Sequence, residues 1–247
     1  MASGALADLV ALLRQERDAQ PEDILAYRKQ FDASAESASI PPGFSVESVN
    51  AGGCFADRLS LLNSADDGVL LYLHGGAYVV GSPTTHRELA SRIGRASGCS
   101  VLVPEYRLAS EHPFPAALED AVATYRWLIA QGTPPERIVI SGDSAGGGRA
   151  AAAVLALRDT DVPLPRALVM LSPWTDLAAT RESLTTRRDL DPMICPDRIC
   201  ESAQMYLGGA DPKTPLASPL YGNLAGFPPT FIHVGTAEVL HDDATRF

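Results

Sequence analysis

The chain of 247 residues, 46% of them hydrophobic, is long enough to bury one sizeable core, and a single α/β domain of this size is ordinary. Thirty acidic against twenty basic residues leave a formal charge of −10, which argues against nucleic acid or an anionic membrane surface as a partner. Cys54, Cys99, Cys195 and Cys200 fit no common zinc spacing, the N-terminus lacks a basic leader, and no window approaches the ~18 apolar residues of a spanning helix, so a cytoplasmic protein without stable membrane association, metal or cofactor is expected.

Leu6, Leu9, Val10 and Leu13 recur at helical spacing, closed by the charged run 14–18. Proline and acids at Pro21-Glu22-Asp23 predict a second helix running to about Phe31. Small and polar residues, 33–42, link these helices to the rest. Residues 44–49 and 57–62 read as half-buried strands, and Val69 to Leu73 as a wholly apolar central one. A helix at 85–96, a strand at 100–104, a helix at 115–129, a strand at 137–141 and a helix at 144–157 come next. Strands at 167–171 and 230–234 complete the series. This alternation predicts an α/β fold, a mainly parallel sheet with helices on both faces and its site at the carboxyl ends of the strands. Residues 176–220 carry many charges and several prolines but no convincing strand. That is too long for a plain loop, and it reads as a helical insertion over the strand ends.

The chemistry gathers at two turns. The strand at 137–141 runs into Gly142-Asp143-Ser144-Ala145-Gly146 and then an alanine-rich helix. Strand, sharp turn bearing a serine, and helix form the pattern of a nucleophile elbow, in which the hydroxyl projects above the sheet. His74-Gly75-Gly76-Ala77 follows the strand at 69–73. Paired glycines after a strand let backbone N–H groups converge on a developing oxyanion, with the N–H of Ala145 as a third donor. A phosphate-cradling reading of Gly142 to Gly148 fails because no lysine follows, and no dinucleotide fingerprint opens a helix after an early strand.

His74-Gly-Gly with Tyr78 close behind, Gly-Asp-Ser144-Ala-Gly-Gly, and the run from Pro104-Glu-Tyr-Arg107 to Pro115-Ala116 together resemble the bacterial hormone-sensitive-lipase-like esterases. These are the type IV group of the α/β-hydrolases, and the resemblance extends over the whole chain. It implies an eight-stranded sheet in a core of residues 46–177 and 213–247, under a helical cap of residues 1–45 and 178–212. It also implies hydrolysis of short- to medium-chain acyl esters through an acyl-enzyme, with Ser144 as nucleophile and Gly75, Gly76 and Ala145 as oxyanion donors. The partner is then a small-molecule ester, with no cofactor. Two departures stand out. Ala77 replaces a third glycine, which keeps the N–H, and Ser110 replaces a common proline.

The resemblance puts the triad acid in an Asp-Pro-Leu-type motif after the seventh strand, where this chain has Gly235-Thr-Ala-Glu238-Val-Leu-His-Asp242. Glu238 falls in the acid's place. Asp242 and Asp243 are its rivals, read more simply as first-turn residues of the next helix. The family's histidine follows an eighth strand, beyond Phe247, and none of His74, His86, His112, His233 or His241 is suitably placed. The chain therefore reads as cut within a helix and, taken alone, as nearly inactive, since loss of the histidine costs roughly 10⁶-fold in turnover. Relatives pair through that last strand, which leaves a homodimer open. The alternative is a non-hydrolytic small-molecule receptor, like the plant gibberellin receptors, which resemble this family and lack the histidine. Asp143 reads as a structural acceptor, and Glu105, Arg107 and Glu111 as an ion-pair network. Tyr27, Phe31, Trp174 and Leu177 read equally well as acyl-pocket lining or as packing.

Overall fold

The computed structural model describes residues 4–35, 38–62 and 68–247. Seven strands form one sheet, β1 (Phe44–Ala51), β2 (Cys54–Leu61), β3 (Val69–Leu73), β4 (Ser100–Pro104), β5 (Ile138–Asp143), β6 (Ala167–Leu171) and β7 (Thr230–His233), in the order β1-β2-β4-β3-β5-β6-β7. β1 and β2 are antiparallel, β2 is antiparallel to β4, and the remaining five run parallel. The hairpin between β1 and β2 closes on Gly52 and Gly53 at φ +75° and +101°. This tight turn starts β2 at Cys54, three residues before the sequence pattern suggests.

The helices are α1 (Gly4–Asp18), α2 (Ile24–Ser34), α3 (Pro83–Ser97), α4 (Ala116–Ala130), α5 (Ala145–Asp159), α6 (Ser183–Thr186), α7 (Pro196–Leu207) and α8 (His241–Arg246). α2 starts later than Pro21 because Asp23 is its cap, accepting from the Ala26 N–H at 2.8 Å. α4 and α5 cover one face of the sheet, burying Leu118, Tyr125 and Ala150 to Ala153 against Ile138, Ile140 and Leu168. The alanine run lets α5 lie close to the strands. α3 covers the other face, with Ala90 against Leu70, Tyr72 and Val101.

A third apolar cluster sits over the strand ends. It joins Tyr78, Tyr106, Ala145 and Trp174 of the sheet side to Ile199, Ala203 and Tyr206 of α7, with Tyr27 and Phe31 of α2 packed against it. Polar ties hold the N-terminal helices to the insertion. Arg17 donates to the Asp191 carbonyl at 2.8 Å, and Arg198 donates to the carbonyls of Pro21 and Gln20. Arg28 of α2 reaches down to the carbonyls of Val79 and Ala109 and pairs with Glu111.

Candidate active site

Ser144 sits between β5 and α5 at φ +51°, ψ −121°, a strained conformation of the kind that costs about 1–3 kcal/mol and needs its surroundings to hold it. Three backbone bonds do so. The Ser144 N–H donates to the Leu171 carbonyl at 2.9 Å, and its own carbonyl accepts from Gly148 and Trp174 at 3.1 and 2.9 Å. Glycines make the approach close enough. A Cβ at Gly142 would lie 2.5 Å from the Leu73 carbonyl oxygen, and one at Gly148 1.9 Å from that of Trp174. The side chain is half-buried, and none of the described residues hydrogen-bonds its hydroxyl.

The end of β3 lies alongside. Leu73 pairs with Gly142 in the parallel register, so the turns leaving the two strands are neighbours. Gly76, Ala77 and Tyr78 follow with φ of +116°, +53° and +66°. Glycine is required at 76, where a Cβ would meet the Val80 carbonyl oxygen at 2.1 Å. Among the described residues nothing accepts from the N–H groups of Gly76, Ala77 or Ala145. Gly75 differs from the sequence expectation. Its N–H donates to Asp143 Oδ1 at 3.0 Å, which engages the proton that an oxyanion would need. The Ala77 N–H, by contrast, is unengaged among the described residues. No residue type marks this, because a positive φ at an alanine leaves no trace in sequence.

Asp143 is a structural acceptor. Its Oδ1 takes hydrogen bonds from the Tyr72 hydroxyl at 2.8 Å as well as from Gly75, linking the elbow to the glycine turn. His86 Nε2 lies 3.5 Å from its Oδ2. His74 is 1% exposed, stacked 4.0 Å from the Tyr106 ring, whose hydroxyl donates to the His74 carbonyl. Burial, reinforced by the neighbouring His86, holds the His74 imidazole well below its usual pKa, so it is neutral. His112 and His233 are exposed, and His241 Nδ1 is 3.1 Å from Asp242.

The three acids after β7 separate clearly. Glu238 is half-buried, and its Oε1 accepts from the Gly235 N–H of its own turn at 2.7 Å. Asp242 accepts from the Ser183 N–H. Asp243 is fully buried, accepts from the N–H groups of Thr175 and Asp176 at 3.0 and 2.9 Å, and lies 3.0 Å from Arg181 Nε. Both aspartates therefore fasten α8 to the segment after β6, beyond the simple first-turn role read from sequence. Burial pushes the Asp243 carboxyl up to about 7, against the pull of Arg181.

Trp174, Leu177, Arg181, Ala203, Gln204 and Leu207 line a cavity of about 260 Å³, to which neither Ser144 nor the 75–77 turn contributes. Arg107 pairs with Asp120 and Glu119, and Glu111 with Arg28, so the acidic partners are not the ones nearest in sequence. Among the described residues no group of three or more His, Cys, Asp or Glu is arranged to hold a metal ion, and no helix is long and apolar enough to cross a membrane.

The pattern of a family described by its alpha/beta hydrolase fold matches residues 70–247. An acetyl-hydrolase of Streptomyces hygroscopicus is 48% identical over 220 residues, covering 89% of this chain and 72% of that protein. An esterase of Acinetobacter venetianus is 34% identical over 207 residues, 83% of this chain and 68% of its own length. The crystal structure of an esterase from the bacterial hormone-sensitive lipase family superposes with a TM-score of 0.94 at 46% identity, covering 100% of this chain and 83% of that one. EstE5, solved after soaking with p-nitrophenyl butyrate, gives 0.93 at 42% identity, covering 99% and 83%. With a serine elbow beside an open pair of backbone donors and these relatives, the chain belongs to the hormone-sensitive-lipase-like esterases of the α/β-hydrolase fold, and is a carboxylic ester hydrolase.

Proposed function

We propose that this protein hydrolyses short- to medium-chain acyl esters through an acyl-enzyme formed on Ser144. The observation that carries the reading is the strained Ser144 with an unengaged hydroxyl, one strand away from the N–H groups of Gly76 and Ala77. Ser144 attacks the ester carbonyl, and the tetrahedral oxyanion is received by Gly76, Ala77 and Ala145. Removing one such donor costs on the order of 3 kcal/mol of barrier lowering. Glu238 orients the general base and offsets its charge when protonated, a task either carboxylate type performs. None of the five histidines supports a role as that base, so we assign it to a residue outside positions 1–247. The matched relatives supply the room, since the chain spans 72% and 68% of the two curated proteins above. We take residues 1–45 and 178–212 as the cap over the strand ends, where Tyr27, Phe31 and Tyr206 join the apolar cluster around Tyr78 and Trp174. Four unpaired cysteines support a reducing compartment such as the cytoplasm.

The test compares residues 1–247 with a version extended by the downstream reading frame, on p-nitrophenyl butyrate. The extended protein should turn over, and the shorter one should retain on the order of 10⁻⁶ of that rate. Equal activity in both would defeat the assignment of the base, and no activity in either would defeat the esterase reading.

A further inference from the structure

Arg149 is a buried charge that the reaction does not use. It lies on α5, five residues after Ser144, and is 1% exposed. Its three guanidinium nitrogens make no well-aligned hydrogen bond among the described residues, although the Tyr106 and Tyr206 hydroxyls lie close to them, and no carboxylate there pairs with it. A cation in that position is unfavourable unless something replaces water around it. What faces it is aromatic. Its guanidinium carbon is 3.6 Å from the Tyr106 ring centre and 4.9 Å from that of Tyr78. Tyr78 is also stacked at 3.8 Å against Tyr206 of α7, with the rings 10° from parallel.

The two rings beneath Arg149 bracket the donor turn. Tyr78 follows Ala77 directly and shares the run of positive φ. Tyr106 holds the other end, donating its hydroxyl to the carbonyl of His74, just before Gly75. A leucine or methionine at 149 would fill the space without burying a charge, so plain packing gives no reason for an arginine. Cation–π attraction to desolvated rings does. We propose that Arg149 is a positioning residue: stacked on Tyr106 and Tyr78, it clamps both ends of the 74–78 turn and so aims the N–H groups of Gly76 and Ala77 at the substrate carbonyl. Because the same helix begins at Ser144, the clamp fixes the donors relative to the nucleophile. This inference rests on the esterase reading above.

The test uses the extended, hydrolytically active protein with Arg149→Met and Arg149→Lys, measuring kcat and KM on p-nitrophenyl butyrate together with the circular-dichroism spectrum. Donors that act on the transition state show in kcat, so Arg149→Met should lose at least about tenfold in kcat with KM changed by less than about twofold. Arg149→Lys keeps the cation without the planar face and should fall between the two. A kcat for Arg149→Met within about twofold of the unsubstituted protein, or a loss carried by KM alone, would overturn the proposal. Should Arg149→Met fail to fold, the same split in Arg149→Lys decides. An unsubstituted protein without ester hydrolysis would overturn the esterase reading instead, and the inference with it.

Discussion

Replacing Gly146 with alanine tests whether the contact between α5 and the end of β3 sets the active geometry. A Cβ there would lie 2.0 Å from the Leu73 carbonyl oxygen and 2.5 Å from that of His74. Such contacts become ordinary near 3.4 Å, so helix and strand end must part by about 1.4 Å at that point. The obstructing atoms are all backbone, and no side-chain rotation relieves them. Alanine's better helix propensity returns about 1 kcal/mol, while overpacking of this kind costs about 1–3 kcal/mol and more where backbone must move. We expect a net loss of about 1–2 kcal/mol, or roughly 2–8 °C in Tm for a chain of this size. Activity should suffer more, because about 1 Å of displacement between nucleophile and donors is enough for roughly a hundredfold loss. Thermal unfolding by circular dichroism and kcat on p-nitrophenyl butyrate in the extended protein measure the two effects. Gly4→Ala, where a Cβ meets nothing within 4 Å, is the control. If Gly146→Ala keeps kcat within about threefold, the argument that this contact places the nucleophile is wrong.

Ser144→Ala should abolish both turnover and covalent labelling of the extended protein by a fluorophosphonate; labelling that survives would move the nucleophile elsewhere. Glu238→Gln should lower kcat by roughly 10⁴, whereas Asp242→Asn, which lies against Ser183, should stay within a few-fold; the reverse order would exchange their roles. Asp243 carries a pH signature. Its folded pKa of about 7 lies above the ordinary 3.8, so the folded state holds the proton more tightly than the unfolded chain. Relative to Asp243→Asn, stability should be highest below about pH 4, fall by a few kcal/mol as pH rises towards 7, and level off above. Urea unfolding of both proteins at acid, intermediate and slightly alkaline pH checks this, and a difference independent of pH would sink it.

Buried parallel strands announce themselves as short apolar runs, so β3, β4, β5 and β6 were readable almost to the residue. The elbow was readable because its glycines have fixed offsets from Ser144, each set by a carbonyl that a Cβ would strike. What escaped depends on contacts between distant segments. That Asp143 engages the Gly75 N–H follows from residues 68 apart in the chain lying side by side at the ends of neighbouring strands. Nothing in the sequence singles out Arg149, and only the rings of Tyr78 and Tyr106 explain why it is inside. The start of β2 at Cys54 escaped as well, because it is set by the tight turn at Gly52 and Gly53 that pairs Ala51 with Cys54.

Tyr206 and Arg28 give the upper helices a grip on the turn that carries the donors, one by stacking on Tyr78 and the other by holding the Val79 carbonyl. Exchanging those helices for a relative's, in order to change which alcohols or acids are accepted, would therefore disturb turnover as well as selectivity. A chimera that retains an aromatic ring at 206 and an arginine at 28 should keep its chemistry. One that drops them should bind new esters and process them poorly.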